Sequence, residues 1–225
     1  MTKFNPIKLV CMVILAVIGG VLLSSCQAMS ASDCLATDWQ FKGEDDGLNG
    51  LPVSTFQTYK EQCFKHSVLL SSDQMSDYES GLNVGYQTFC RRNNGYTQGA
   101  RGKANHDVCP QNLRAEFNRS YSMGRVFNSE RKKVNKVQSD IDNRNRRIRN
   151  IQSSIKSLQK TAYSSDTDEK TQASQQKKID DLQNEVNQIL VGLQPLYTDR
   201  YRAQDQCEEV RRRHQRQGYP VPAEC

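Results

Sequence analysis

VNKVQSDIDNRNRRIRNIQSSIKSL, Val134 to Leu158, is the stretch whose periodicity decides the fold. Counted in sevens from Phe127, the a and d places are held by Phe127, Glu130, Val134, Val137, Ile141, Arg144, Ile148, Ile151, Ile155, Leu158 and Ala162. All but Glu130 and Arg144 are apolar. A 3.5-residue period kept over this length predicts a helix that buries one seam against another helix. The pattern resumes at Ile179, Leu182, Val186, Ile189, Leu193, Leu196, Arg200, Ala203, Cys207 and Val210, where only Arg200 breaks it. Between the two runs lies YSSDTDEKT, Tyr163 to Thr171, which is polar and turn-like.

Two complementary arms joined by a short polar tip predict an antiparallel coiled-coil hairpin over residues 125–217, with its turn at about 163–171. At 1.5 Å per residue such arms project about 50–60 Å. A register centred on Asp168 and Glu169 matches Ile141 with Leu196, Ile148 with Ile189, Ile151 with Val186 and Ile155 with Leu182, all apolar layers. Arg144 then faces Leu193, and Arg200 faces Val137. Each arginine must lay its stem on the seam and send its head to water. A slip of one heptad, centred on Ser165, is the competing register. Pro195 is expected to kink the second arm.

The start of the chain reads differently. Lys3 and Lys8 precede a nearly unbroken apolar run from Leu9 to Leu23, and no acid occurs before Asp33. The run is shorter than the roughly 20 residues a spanning helix needs. Basic start, apolar middle and small residues at the cut are the proportions of a secretory signal. Leu23-Ser24-Ser25-Cys26 resembles the lipobox of bacterial lipoproteins. The resemblance implies removal of residues 1–25, a diacylglycerol on the Cys26 thiol and acylation of the new amine. More than one acyl chain makes such an anchor durable. Gln27, where an Asp would favour the inner membrane, implies the outer membrane facing the periplasm. The residues that follow, 26–33, are expected to act as a lipidated tether.

Eight cysteines are present. Cys11 leaves with the signal and Cys26 takes the lipid. Cys34, Cys63, Cys90, Cys109, Cys207 and Cys225 remain, an even number in an oxidising compartment, so three disulfides are expected. Six cysteines allow 15 connectivities. Pairing each with its neighbour, Cys34–Cys63, Cys90–Cys109 and Cys207–Cys225, closes the shortest loops. The other connectivities stay open. Each such bridge stabilises by roughly 3 kcal/mol in the chain-entropy model.

Residues 34–124 form the expected disulfide-rich domain, small, helical and loop-rich, and 218–225 a C-terminal tail. The fold class is therefore mainly α. Within the domain, Ser54-Thr55-Phe56-Gln57 has a capping-box pattern, with Phe56, Tyr59 and Cys63 on one face of the helix it opens. A second helix starts at Ser71-Ser72-Asp73 with Tyr78, Leu82, Tyr86 and Phe89 as its stripe. Gly81 and Gly85 lie one turn apart on it, where another helix can approach closely. A third begins after Cys109-Pro110, with Phe117, Tyr121 and Gly124 inward. Gly43–Gly50 and Asn93–Asp107, dense in Gly, Asn and Asp, read as turns and loops.

The residues Cys34, Trp39, Gly43, Asp46-Gly47, Gly50, Tyr59 and Cys63 form a pattern that continues in Asp77-Tyr78-x-x-Gly81 and Gly85-Tyr86-x-x-Phe89-Cys90. Gly99, Gly102, Val108-Cys109-Pro110, Phe117 and Tyr121-x-x-Gly124 complete it. Together they resemble an uncharacterised bacterial lipoprotein family, domain of unknown function 2799. The resemblance spans roughly residues 34–124 and implies no activity. The hairpin lies outside it.

Candidate chemistry is sparse. Asp45, Asp46 and Asn49 lack the alternate spacing of a calcium loop. Gly95, Gly99 and Gly102 are followed by no Gly-Lys-Ser/Thr, so they do not spell a phosphate cradle. His66, His106 and His214 sit in no metal-ligand pattern, and paired cysteines offer neither thiolate ligand nor nucleophile. No catalytic residue, metal or cofactor is expected. The formal net charge is +6, and loss of Lys3 and Lys8 leaves +4, too mild to argue for nucleic acid. From Ser129 to Lys160 ten Lys or Arg stand against three acids, densest in RNRRIR, Arg144 to Arg149. That face is either solvated, with weak pairs to Asp180, Asp181 and Glu185, or turned to an anionic envelope component. The expected function is a non-enzymatic, lipid-anchored envelope protein whose hairpin meets a protein partner or acts as a spacer. The competing expectation is a small-ligand-binding or enzymatic role for the disulfide-rich domain.

Overall fold

The computed structural model describes residues 29–164 and 168–225. The expected signal segment, 1–25, and the expected lipidation residue, Cys26, lie outside the described residues. Seven helices and no strand occur among those described. They are α1 (Ala31–Ala36), α2 (Trp39–Leu48), α3 (Thr55–Phe64), α4 (Ser72–Phe89), α5 (Arg92–Arg101), α6 (Gln111–Ala162) and α7 (Glu169–Arg216). The chain divides into two compact units, Met1–Gly85 and Tyr86–Cys225. The expected boundary at 124/125 falls inside α6, which runs unbroken for 52 residues.

Both stretches read as turns are largely helix. Gly43–Gly50 contains the last half of α2, and Asn93–Asp107 contains most of α5. Glycine costs helix propensity, close to 1 kcal/mol each. The compensation is tertiary. A Cβ on Gly43 would stand 2.0 Å from the Tyr78 carbonyl oxygen, and one on Gly47 2.5 Å from that of Leu82. From the facing helix, a Cβ on Gly81 would stand 1.9 Å from the Gln40 oxygen, and one on Gly85 2.4 Å from that of Glu44. α2 and α4 therefore cross backbone to backbone, at a distance only a missing side chain permits.

The second unit repeats the device. Cβ atoms on Gly95 and Gly99 would meet the carbonyls of Phe117 and Tyr121 at 2.7 and 2.1 Å, and one on Gly124 would meet that of Tyr96 at 2.1 Å. The spacing G-x-x-x-G-x-x-G recurs as Gly43, Gly47, Gly50 and as Gly95, Gly99, Gly102. The facing helices repeat as Tyr78, Gly81, Gly85 and Phe117, Ser120, Gly124. In each triplet the first two glycines make the crossing and the third stops the helix. Gly50 and Gly102 have φ of 71° and 72°. After each, the next N–H returns to a carbonyl of the last turn, Leu51 to Asp46 at 3.0 Å and Lys103 to Gln98 at 3.1 Å, which is the αL helix stop glycine favours.

Helix starts also differ in part from the expectation. Ser54 makes no side-chain cap, because it already sits in a turn in which the Thr55 N–H reaches the Pro52 carbonyl at 2.9 Å. Ser71 does open α4, its Oγ accepting from the Gln74 N–H (3.2 Å) while the Gln74 side chain accepts from the Ser71 N–H (2.8 Å). A further capping box, Ser30 with Asp33, starts α1 inside the segment expected to be tether. Asp168 caps α7 by accepting from the Thr171 N–H and hydroxyl, so the second arm begins before the expected end of the turn. α7 is a continuous helix through Pro195.

The structure pairs Cys34–Cys63, Cys90–Cys109 and Cys207–Cys225. Each bridge closes a loop of 18 to 29 residues. The first ties α1 to the end of α3, the second ties the end of α4 to the start of α6, and the third ties the tail to α7.

The crossings predict opposite outcomes for one kind of substitution. Gly43→Ala and Gly99→Ala are expected to destabilise by about 1–3 kcal/mol or more through overpacking, despite the helix preference for alanine. At Gly192 the nearest obstacle is the guanidinium end of Arg144, which can swing away. Gly192→Ala is expected to be neutral or stabilising by up to about 1 kcal/mol. Denaturant titration of the three variants checks both signs.

Candidate functional site

The long arms are built from α6 and α7. The seam residues marked by the heptad pattern are buried or half-buried, except Arg144 and Arg200, which are exposed. One apolar cluster holds Ile141, Ile148 and Leu193, with Val137, Val186, Ile189 and Leu196 packed on it. A second, at the base, joins Phe127, Val134, Ala203, Cys207 and Val210 to Tyr96 and Ala100 of α5. Gly192 lies beside the Arg144 guanidinium, next to its expected partner Leu193. The one ion pair between the arms among the described residues joins Arg147 to Glu185, with Nε donating to Oε1 at 2.7 Å. Lys133, Lys136 and Arg211 pair instead along their own helices, with Glu130, Asp140 and Glu208. Exposed pairs of this kind contribute little each.

α7 also carries exposed apolar residues outside the a and d places. Leu190 is 48% exposed, Val191 75%, Tyr197 47% and Tyr201 81%. Leu190, Tyr197 and Tyr201 fall at helical spacing on one face, with Leu190 and Tyr197 along the flank of the seam. Across residues 180–209, seven Asp or Glu stand against two Arg. The α6 arm is basic. The hairpin thus joins a basic α6 arm to an acid-rich stretch of α7, and the exposed apolar groups lie within that stretch. The stripe was visible in the sequence as apolar residues outside the a and d places.

At the base, the tail packs over α5. Tyr219 stacks on Tyr96 at 4.8 Å, and the Arg92 guanidinium lies 4.2 Å over the Tyr219 ring while donating to the Gln217 carbonyl. His214 is fully buried, and its Nδ1 is 3.1 Å from the Tyr96 hydroxyl. Burial, then the neighbouring Tyr219, pushes the Tyr96 hydroxyl above its usual pKa, so it stays protonated. Burial, then Arg213, pulls the His214 imidazole below its usual value. Its Nε2 has no hydrogen-bond partner among the described residues.

The remaining sequence candidates lie apart. In the first unit Asp46 is buried, and its carboxylate accepts from the Tyr59 and Tyr78 hydroxyls, both at 2.8 Å, and from Lys42 at 2.7 Å. Trp39, Phe56, Tyr59 and Tyr78 pack around it edge to face or tilted. Asp45 and Asn49 are exposed. His66 and His106 are exposed as well. All six disulfide cysteines are bonded, five of them buried, and Cys225 packs on the base cluster. No group of three His, Cys, Asp or Glu placed to hold a metal occurs among the described residues. No helix among them is long and apolar enough to cross a membrane.

Residues 38–126 match the family model described as Protein of unknown function (DUF2799). This part of the chain carries that domain. The match begins at the cap of α2 and ends within α6, so it takes in both glycine crossings and leaves most of the hairpin outside. No curated protein and no solved structure matches the chain.

Two outcomes follow from the hairpin and its base. With Ile148→Cys and Ile189→Cys in one chain, an intrachain crosslink is expected, because both residues belong to one cluster. A crosslink between residues 148 of two chains would contradict the hairpin. The second outcome concerns pH. His214 has a lower pKa in the fold than in the unfolded chain, so the unfolded state binds the proton first as pH falls. Stability is fully present above about pH 6.5 and is lost as pH drops from there toward the folded pKa. Thermal unfolding measured between pH 7.5 and 5 should show this loss, and His214→Gln should flatten it.

Proposed function

We propose that this protein is a non-enzymatic, lipid-anchored protein of the cell envelope that presents its helical hairpin to a protein partner. In this reading Cys26 carries the lipid, the protein sits at the outer membrane facing the periplasm, and the arms extend into that space. The observation that carries the partner role is the exposed Leu190, Val191, Tyr197 and Tyr201 within one stretch of α7. Aromatic side chains beside charge are the composition of an interface core with its rim. A helix is the natural occupant of such a face. The basic edge of α6 gives a second surface, suited to an anionic envelope component. A purely structural spacer would have no use for an exposed stripe. The competing enzymatic or ligand-binding role draws no support from Asp46, whose oxygens are taken by Tyr59, Tyr78 and Lys42.

The test has two arms. Cys26→Ala is expected to leave an unprocessed chain without radiolabelled palmitate, and normal labelling would refute the anchor. Photoreactive side chains placed at 191 and 201 in growing cells are expected to capture one partner. The same probe at the seam residue Ile148 should capture none. A Val191→Ser/Tyr201→Ser chain should lose that partner while keeping its palmitate. Retention of the partner in this chain sinks the stripe as the contact surface.

A further inference from the structure

We infer that the apolar surface at the end of α3 seats on the lipid bilayer beside the anchor, so that the first unit lies against the membrane rather than hanging from it. The inference rests on the reading that Cys26 is acylated, and it adds a contact that reading does not contain.

Three observations bear on the end of α3. The first is where the described chain begins. The Met29 N–H donates to the Gln62 side chain at 3.0 Å, which ties the start of the chain to the last turn of α3. Cys26 is three residues earlier, and a chain spans at most about 3.6 Å per residue. Covalent reach alone therefore holds the attachment backbone of Cys26 within about 11 Å of that of Met29.

The second is exposed apolar surface at that place. Leu35 and Phe64 each directly follow a cysteine of the Cys34–Cys63 bridge, whose Cα atoms are 5.6 Å apart. They are 75% and 66% exposed. After Phe64 the chain turns back through Ser67, at φ 61°, and the Val68 N–H returns to the Cys63 carbonyl at 3.0 Å. That turn brings up Leu69, 76% exposed. Phe64, Val68 and Leu69 line a groove of about 200 Å³ with Gln57, Lys60 and Glu61. Large apolar side chains gathered this way mark an interaction site.

The third is charge. Lys60 and Lys65 are exposed at the edge of the patch, with Glu61 between them in sequence. Lysines around an apolar patch suit anionic headgroups, with the apolar side chains entering the acyl boundary. A bilayer is the occupant this combination fits, because the attached lipid already holds it there.

The full-length chain, purified and placed in vesicles of phosphatidylethanolamine and phosphatidylglycerol with brominated acyl chains, tests this. Trp39 is buried and gives a fixed background. Leu69→Trp should lose most of its added fluorescence to the brominated lipid, whereas Val191→Trp on the hairpin should lose none. Phe64→Trp is the second reporter should Leu69→Trp fail to fold. The mass of Cys26 is read on the same samples. If Cys26 is acylated and both reporters are quenched no more than Val191→Trp, the seating surface is overturned and the anchor stands. If Cys26 carries no lipid yet a reporter is quenched, the surface stands and the anchor reading falls. If neither is seen, both fall.

Discussion

The rest of this structure depends on two helix crossings at which no side chain stands between the backbones. In the first unit Gly43 and Gly47 lie on the carbonyls of Tyr78 and Leu82, and in the second Gly95 and Gly99 lie on those of Phe117 and Tyr121. Such proximity buries the polar groups beside the glycines that face inward. Asp46 precedes Gly47, so its carboxylate is sealed in and needs Tyr59, Tyr78 and Lys42. Tyr96 follows Gly95, so its hydroxyl is sealed in and needs His214. A buried polar group without partners would cost about 1–3 kcal/mol. The aromatic and ionic groups around each crossing are thus consequences of it.

α6 links the second crossing to the hairpin. Its first turns meet α5 at Gly124, and its later turns form the seam with α7. Each unit holds its ends with disulfides where its apolar core is thin. The Cys207–Cys225 bridge keeps the tail on Tyr96, so the base of the arms is closed on three sides by α5, α7 and the tail. The arms beyond have only the seam, and their surface is left for other contacts.

What the sequence showed follows from how local each signal is. A coiled-coil seam is written along one dimension, and the residues from Phe127 to Ala162 and from Ile179 to Val210 could be read from their period alone. Even the exceptions at Arg144 and Arg200 fell at the surface. The disulfides joined near neighbours, as short loops favour. α2 and α5 were hidden because glycine is locally a helix breaker, and what pays its cost is another helix far along the chain. The clue was the repeated G-x-x-x-G-x-x-G spacing, in which the third glycine alone behaves as a turn residue. Asp46 was read beside Asp45 and Asn49 as a turn acid, since nothing local says that Tyr59 and Tyr78 reach it. The Ser30–Asp33 and Asp168–Thr171 caps are legible as local patterns, but they lie in stretches whose composition is that of a tether and a turn. Cys26 itself lies outside the described residues.

The central claim is that the crossings, not the hairpin seam, hold the chain together. Native-state hydrogen exchange on the oxidised protein tests it most directly, because each amide reports the opening of its own segment. Amides of α4 near Gly81 and Gly85 and of α6 near Ser120 and Gly124 are predicted to exchange last, with protection falling along both arms toward Ala162 and Glu169. Slower exchange around Ile141, Ile148 and Leu193 than at the glycine crossings would contradict the account.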